Sequence, residues 1–229
     1  MDEKKNIGSL FDRIARSYDH INHLLSLHTD RLWRHRAVSR LSAADSVLDV
    51  AIGTGDLAIE LVRSRKAQKV QGIDLSEQMM AVAAQKVAAR GWSDRIRFDL
   101  GSALDMPYAD NSFDAVTCGF GVRNFSDLDK GLKEMFRVLR KDGEVLILEF
   151  SYPEQRIVRR LYDFYFSRMM PFIGKTVSRD KTAYSYFRNS VKGFIWGETL
   201  CDRLRQAGFK NVTFTPMTFG ICTMYKGVK

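Results

Sequence analysis

Apolar residues recur every three or four positions through residues 9–40, at Leu10, Ile14, Tyr18, Ile21, Leu24 and Leu25, which predicts a helical segment. From residue 46 the pattern changes. Short apolar runs at 46–51, 69–73, 95–99, 113–118 and 143–149 alternate with amphipathic stretches at 56–65, 77–90 and 127–140. Such alternation predicts parallel strands covered by helices on both faces. Residues 154–195 interrupt it with an aromatic-rich, basic, largely helical stretch. A helix over 197–207 then leads to two strands near 211–216 and 219–226, divided at Pro216-Met217 into an antiparallel edge hairpin. The expected fold is α/β and doubly wound: a mostly parallel, seven-stranded, Rossmann-like sheet with an antiparallel C-terminal edge and added helices. It forms one domain over 1–229, comprising an N-terminal helical lid segment (1–45), a cofactor-binding core (46–150), the insertion (154–195) and a closing helix and strands (196–229).

Composition narrows the class. The chain is 45% hydrophobic and 28% charged, an ordinary globular balance. No apolar run approaches the ~18 residues that span a bilayer, and the first 21 residues lack the apolar core of a signal peptide, so export is not expected. Cys118, Cys201 and Cys222 have no paired spacing and read as buried thiols in a reducing compartment. The net charge of +9 is unevenly placed: residues 151–229 carry 14 basic and 5 acidic side chains. That asymmetry suits an anionic partner, or a basic solvated face with none.

The candidate chemistry begins at "DSVLDVAIGTGDLAIEL", residues 45–61. Gly53-Thr54-Gly55-Asp56-Leu57-Ala58 fits the dinucleotide fingerprint, in which a helix N-terminus receives a pyrophosphate. Asp56 sits where the phosphates would lie, either as a repelling carboxylate or as a simple N-cap. Asp49 ends the first strand, as a cofactor contact or a turn cap. Asp74 ends the second, 19 residues beyond Gly55, where a carboxylate can accept both ribose hydroxyls. Ser76 is the better cap for the helix that follows. Gly101-Ser102-Ala103 marks a third strand end suited to flanking an adenine, and Cys118-Gly119-Phe120 a fourth. Acids at successive strand ends disfavour a nicotinamide dinucleotide and favour a cationic, phosphate-free cofactor, S-adenosylmethionine.

With these residues in place, the chain resembles the class I S-adenosylmethionine-dependent methyltransferases. More narrowly, it resembles the UbiE/MenG type of ubiquinone and menaquinone biosynthesis C-methyltransferase. The likeness spans almost the whole chain and rests on "YDHINHLLSLHTDRLW" (18–33), "FGVRN" (120–124), "RVLRKDGEVLILEFS" (137–151) and "MMPFIGKTVSRDKTAYSYFRNSV" (169–191). Departures are few. Ile21 stands for a usual Met, Asp30 for a His, and Lys141-Asp142 for Pro-Gly, while Ala51 and Ile52 replace glycines common in methyltransferases at large. The resemblance places cofactor contacts at Thr54, Asp74, Ser102 and Ala103, beside Asp49, Gly53 and Gly55 from the loop reading. A further contact, usually a serine, is Gly119 here.

The resemblance implies methyl transfer to a ring carbon of a prenylated quinol, demethylmenaquinol to menaquinol, with the equivalent ubiquinone step as the second reading. Loss of a hydroxyl proton from the quinol pushes electron density onto the ortho carbon, so a base or an oxyanion-stabilising cation is needed. Arg123 is the first candidate, against an alternative in which it pairs with Asp127. Asn124 is placed to orient the ring, and His28 to act as base if the N-terminal segment folds over the pocket. The four histidines, His20, His23, His28 and His35, match no zinc spacing, so no metal is expected. Aromatic residues of 157–195 interleave with arginines and lysines. Such a stripe is usually core, but with a basic rim it also suits peripheral contact with an anionic membrane. The expected place is therefore the cytoplasm, with contact at the inner face of the cell membrane. Nucleic acid is not expected as a partner, no RNA-binding module being recognisable. The oligomeric state stays open, a homodimer included. The rivals are an RNA methyltransferase, a binding module without turnover and a dehydrogenase.

Overall fold

A computed structural model describes residues 11–13, 15, 18–19, 22–23, 26, 28–165, 168 and 189–229. Seven strands form one sheet: β1 (Ala44–Val50), β2 (Ala67–Asp74), β3 (Ile96–Leu100), β4 (Phe113–Gly119), β5 (Leu139–Phe150), β6 (Lys210–Met217) and β7 (Cys222–Val228). Their order across the sheet is β3-β2-β1-β4-β5-β7-β6. Pairs among β1 to β5 are parallel, while β7 runs antiparallel to both β5 and β6. The expected fold class is the one observed.

The α-helices that accompany the sheet include α1 (Thr29–Ser39), α2 (Asp56–Arg63), α3 (Glu77–Ala88), α4 (Leu128–Val138), α5 (Arg156–Phe164) and α6 (Glu198–Gln206). Central strands are apolar on both faces because helices cover both. Trp33, Ala37 and Val38 of α1 join Leu57, Ala58 and Leu61 of α2 in one buried layer. Leu132, Met135 and Val138 of α4 join Leu200 and Leu204 of α6 in the other. Each fully buried leucine contributes about 1.5–3 kcal/mol. Ser76 caps α3 as expected, its Oγ accepting from the Met79 amide at 3.1 Å.

Three expectations need correction. The N-terminal helix does not run unbroken to residue 40: His28 takes a left-handed conformation (φ 60°), and α1 starts afresh at Thr29. The closing hairpin does not turn at Pro216-Met217. Pro216 pairs with Thr223 and Met217 with Cys222, so the turn lies beyond them, at residues 218–221. β6 is the outermost strand, where a missing N–H is tolerated. β5 begins at Leu139 instead of 143, pairing with Phe113 before a register shift. Its polar opening, Arg140-Lys141-Asp142, reads in the sequence as a turn, and Asp142 does take a positive φ of 62°. Of the 154–195 stretch, residues 166–167 and 169–188 lie outside the described residues, including half of its aromatic and basic positions.

Candidate cofactor and acceptor site

The carboxyl ends of β1, β2 and β4 open into a cavity of about 1090 Å³, its mouth included. β1 and β4 are neighbours at the point where strand order reverses, the place where open α/β sheets bind ligands. After Val50 the chain turns through Ala51 (φ 54°), Gly53 (φ 55°) and Gly55 (φ 80°). Gly55 is required for space as well as for angle, since a Cβ there would lie 3.0 Å from Ala83 Cβ on α3. It also occupies the N-cap position of α2. Asp56 is therefore the first helical residue and not the cap.

The three acids of the loop reading all line the cavity, but they are not alike. Asp74 accepts hydrogen bonds from the amides of Gly53 (2.8 Å) and Ser76 (2.9 Å), which fixes the glycine loop against the end of β2. Burial pushes its carboxyl pKa up, against those amides. Asp49 lies within β1 opposite Thr117 of β4 and is 1% exposed. Its Oδ1 accepts from the Thr117 hydroxyl at 2.7 Å, while Oδ2 has no hydrogen-bond partner among the described residues. Desolvation pushes its pKa up to about 7. Asp56 differs. Burial disfavours its charge, yet Arg34 and Lys86 outweigh burial and hold its pKa below the usual carboxylate range. Lys86 Nζ makes a short contact with Oδ1, and Arg34 Nη1 lies 3.6 Å from Oδ2. The expectation of an acidic loop is corrected accordingly: Asp56 is neutralised by its neighbours, leaving Asp49 and Asp74.

The other expected cofactor residues, Gly53, Thr54, Ser102, Ala103 and Gly119, also line the cavity. Thr54 donates its hydroxyl to Asp19 at 2.5 Å. A Cβ on Gly119 would sit 3.1 Å from Leu57 Cδ2, so this position offers backbone alone. Asp19 also receives Lys86 Nζ at 2.7 Å, and Ser76 Oγ donates to Asp12 at 2.5 Å. These contacts draw described residues of the N-terminal segment over the loop, and Phe11 and Tyr18 complete the cavity wall.

The catalytic candidates separate. Asn124 lines the cavity. Arg123 does not; its guanidinium donates to Glu149 Oε1 at 2.6 Å and to the Phe120 carbonyl, and lies 5.5 Å from the Phe150 ring centre. Both side chains of the pair are buried, at 3% and 1% exposure. The other partner considered, Asp127, instead caps α4 by accepting from the Lys130 amide at 3.0 Å. His28 is exposed, stacks on His23 with ring centres 5.5 Å apart, and is not among the described residues that line the cavity. His23, Asp30 and Asp56 bring possible metal-ligand atoms within 4.8 Å of one another. Arg34 already stands among them, bonded to Asp30 and facing Asp56.

Sequence reasoning passed over several lining residues, and two of them carry chemistry. Arg34, 7% exposed, uses Nη1 on Asp30, while its Nε and Nη2 have no hydrogen-bond partner among the described residues. Its guanidinium lies 5.4 Å from the Phe120 ring centre, above the end of β4. In the sequence, an arginine four residues after an aspartate on a helix looks like an ordinary surface pair. Tyr18 is the second. Burial raises its hydroxyl pKa, opposed by Arg123, a hydrogen bond with Asn22 and Arg34, so it stays a neutral donor at pH 7.

The sequence model of the ubiE/COQ5 methyltransferase family matches residues 1–229. A demethylmenaquinone methyltransferase of Bacteroides fragilis is 41% identical over 229 residues, covering 99% of this chain and 94% of that protein. A ubiquinone/menaquinone biosynthesis C-methyltransferase UbiE of Geotalea daltonii is 42% identical over 228 residues, covering 98% and 97%. Among solved structures, an S-adenosylmethionine-dependent methyltransferase of Thermotoga maritima superposes with a TM-score of 0.68 at 21% identity. That match covers 96% of this chain and 99% of the other.

Proposed function

The chain belongs to the ubiE/COQ5 methyltransferase family and is an S-adenosylmethionine-dependent methyltransferase, and we propose that its acceptor is demethylmenaquinol, methylated on a ring carbon to menaquinol. The relatives' names carry this choice of acceptor. The second reading, the matching C-methylation in ubiquinone biosynthesis, is favoured by relatives named for both pathways.

The residues present fit the cofactor. Asp49 Oδ2 is a buried acceptor without a donor, the complement of an ammonium group. Arg34 lines the same cavity with two donor positions unused among the described residues, the complement of a carboxylate. Together they would hold the two ends of an amino-acid tail. Asp74 would accept from the ribose hydroxyls, and Ser102-Ala103 would flank the adenine. Bound there, S-adenosylmethionine supplies a methyl group already activated by a sulfonium. The protein's remaining tasks are alignment and control of the quinol hydroxyl. Tyr18 and Asn124 would hydrogen-bond the acceptor's oxygen, where charge develops as its proton leaves. Arg123 would act from behind Phe120 as a positioning residue, its charge balanced by Glu149.

A prenylated acceptor brings its enzyme to a bilayer. No helix among the described residues is long and apolar enough to cross one. Peripheral contact with an anionic inner leaflet is the corresponding proposal, supported by the basic C-terminal third. The deciding experiment supplies labelled S-adenosylmethionine with reduced demethylmenaquinol and, separately, the benzoquinol precursor. Faster methylation of the naphthoquinol supports the main reading, faster methylation of the benzoquinol replaces it with the second, and labelling of neither overturns both.

A further inference from the structure

The turn between β6 and β7 holds three successive residues with positive φ: Thr218 (46°), Phe219 (57°) and Gly220 (85°). Glycine takes such angles readily; phenylalanine does so only under constraint. Phe219 is 72% exposed, and no ring contact is made to it among the described residues. Packing in the core therefore does not explain an aromatic side chain here. The turn is not loose. Trp33 Nε1 donates to Thr218 Oγ1 at 2.7 Å, Ser151 Oγ to the Gly220 carbonyl at 2.9 Å, and the Ser151 amide to the Ile221 carbonyl at 3.0 Å. These bonds hold a strained backbone in place and present one large ring to solvent.

A second apolar surface adjoins it. A Cβ on Gly220 would lie 3.8 Å from Pro153 Cα, in the segment that leads into α5. On α5, Ile157, Leu161 and Phe164 are 75%, 65% and 59% exposed and fall at i, i+4 and i+7, along one face. Tyr162 is buried at 5%, and Asp163 ties the helix down through Tyr152 (2.6 Å) and Lys192 (2.7 Å). Arg156 and Arg160 are exposed and have no ion-pair partner among the described residues. Phe150 at the end of β5 pairs with Cys222 at the start of β7, so the turn and α5 both lie at the sheet edge that carries the cavity.

We propose that Phe219 and the Ile157-Leu161-Phe164 face together form the surface that enters an anionic lipid bilayer, with Arg156 and Arg160 meeting its headgroups. Clustered cations favour anionic lipid over an apolar protein groove, and apolar rings beside them supply a part that salt does not screen. The surface rests on the membrane contact proposed above and gives it an address at the end of the sheet where the cavity opens.

The test is flotation of the full chain with vesicles of phosphatidylcholine alone and of phosphatidylcholine with phosphatidylglycerol. Three variants accompany the wild type: F219N, L161S and the double variant R156E/R160E. Asparagine tolerates the left-handed angle, so F219N should melt at or above the wild-type temperature while binding anionic vesicles about tenfold less. L161S should weaken binding similarly, and the charge reversal should remove the preference for phosphatidylglycerol. Methylation of a short-chain quinol in detergent should be unchanged in all three. Wild type that binds anionic vesicles, with F219N and L161S binding equally well, would overturn this surface and leave membrane contact standing. A wild type that binds no vesicle would overturn the membrane reading itself, and concentration-dependent dimerisation lost in F219N would assign the face to a second copy of the chain.

Discussion

Asp49 should give cofactor binding a pH dependence near neutrality. Its pKa of about 7 in the unliganded protein leaves about half of the molecules protonated at pH 7. A ligand ammonium beside Oδ2 favours the carboxylate, so binding should release about half a proton per site at pH 7. If only the ionised form binds, the dissociation constant of S-adenosylhomocysteine should tighten about tenfold between pH 6 and 8, or ~1.4 kcal/mol. Stability of the unliganded protein should move the other way. A folded-state pKa raised above its unfolded value contributes stability that is present below ~pH 4 and lost as pH rises through 7. The rise from an ordinary carboxylate value of 3.8 to about 7 bounds that loss at about 4 kcal/mol for a group as buried as this one. Asp49→Asn keeps an acceptor for the Thr117 hydroxyl and removes the charge. It should be more stable than wild type at pH 8, bind S-adenosylhomocysteine more weakly, and release no proton. Calorimetry in phosphate and in Tris measures the proton directly. Equal heats in the two buffers at pH 7, after correction for dilution, would refute the assignment.

Three more outcomes follow from the same geometry. Arg34→Met should weaken S-adenosylhomocysteine by about 1.5–3 kcal/mol, the worth of a charged hydrogen bond, and leave methylthioadenosine, which lacks the amino-acid tail, unaffected; equal losses for both ligands would contradict the carboxylate role. Asp74→Ala should weaken both ligands at least about tenfold, since both carry the ribose, and a loss confined to the tailed ligand would place Asp74 elsewhere. Glu149→Gln leaves the Arg123 charge buried without its counter-ion and should cost about 3 kcal/mol or more of stability; an unchanged denaturant midpoint would show the pair to be dispensable.

Much of the scaffold was legible because buried parallel strands are near-continuous apolar runs, and Val47–Val50 and Val145–Phe150 are each broken by a single acid. The spacing from Gly55 to Asp74 was legible for a similar reason: one βαβ unit fixes the distance between two strand ends. What stayed hidden depends on partners distant in the chain. Asp56 reads as a repelling carboxylate until Lys86, thirty residues on, is folded against it. Arg123 finds Glu149, twenty-six residues away, instead of the nearby Asp127. Arg34 was obscured by a local pattern, since its bond to Asp30 matches that of any exposed helix pair, and only the fold brings it to the cavity wall. Pro216 misled by its usual habit of marking turns, because an outermost strand tolerates what an inner strand does not.

That same proline constrains how the protein can associate. A sheet grows by offering an unpaired row of N–H and C=O groups to another strand, and one border of this sheet is β6. Pro216 leaves a gap in the donors there, and the register shift between Lys210 and Thr213 bends the remainder away from a straight template. At the opposite border β3 is only five residues long. Chains concentrated together are thereby discouraged from joining edge to edge into a continuous ribbon.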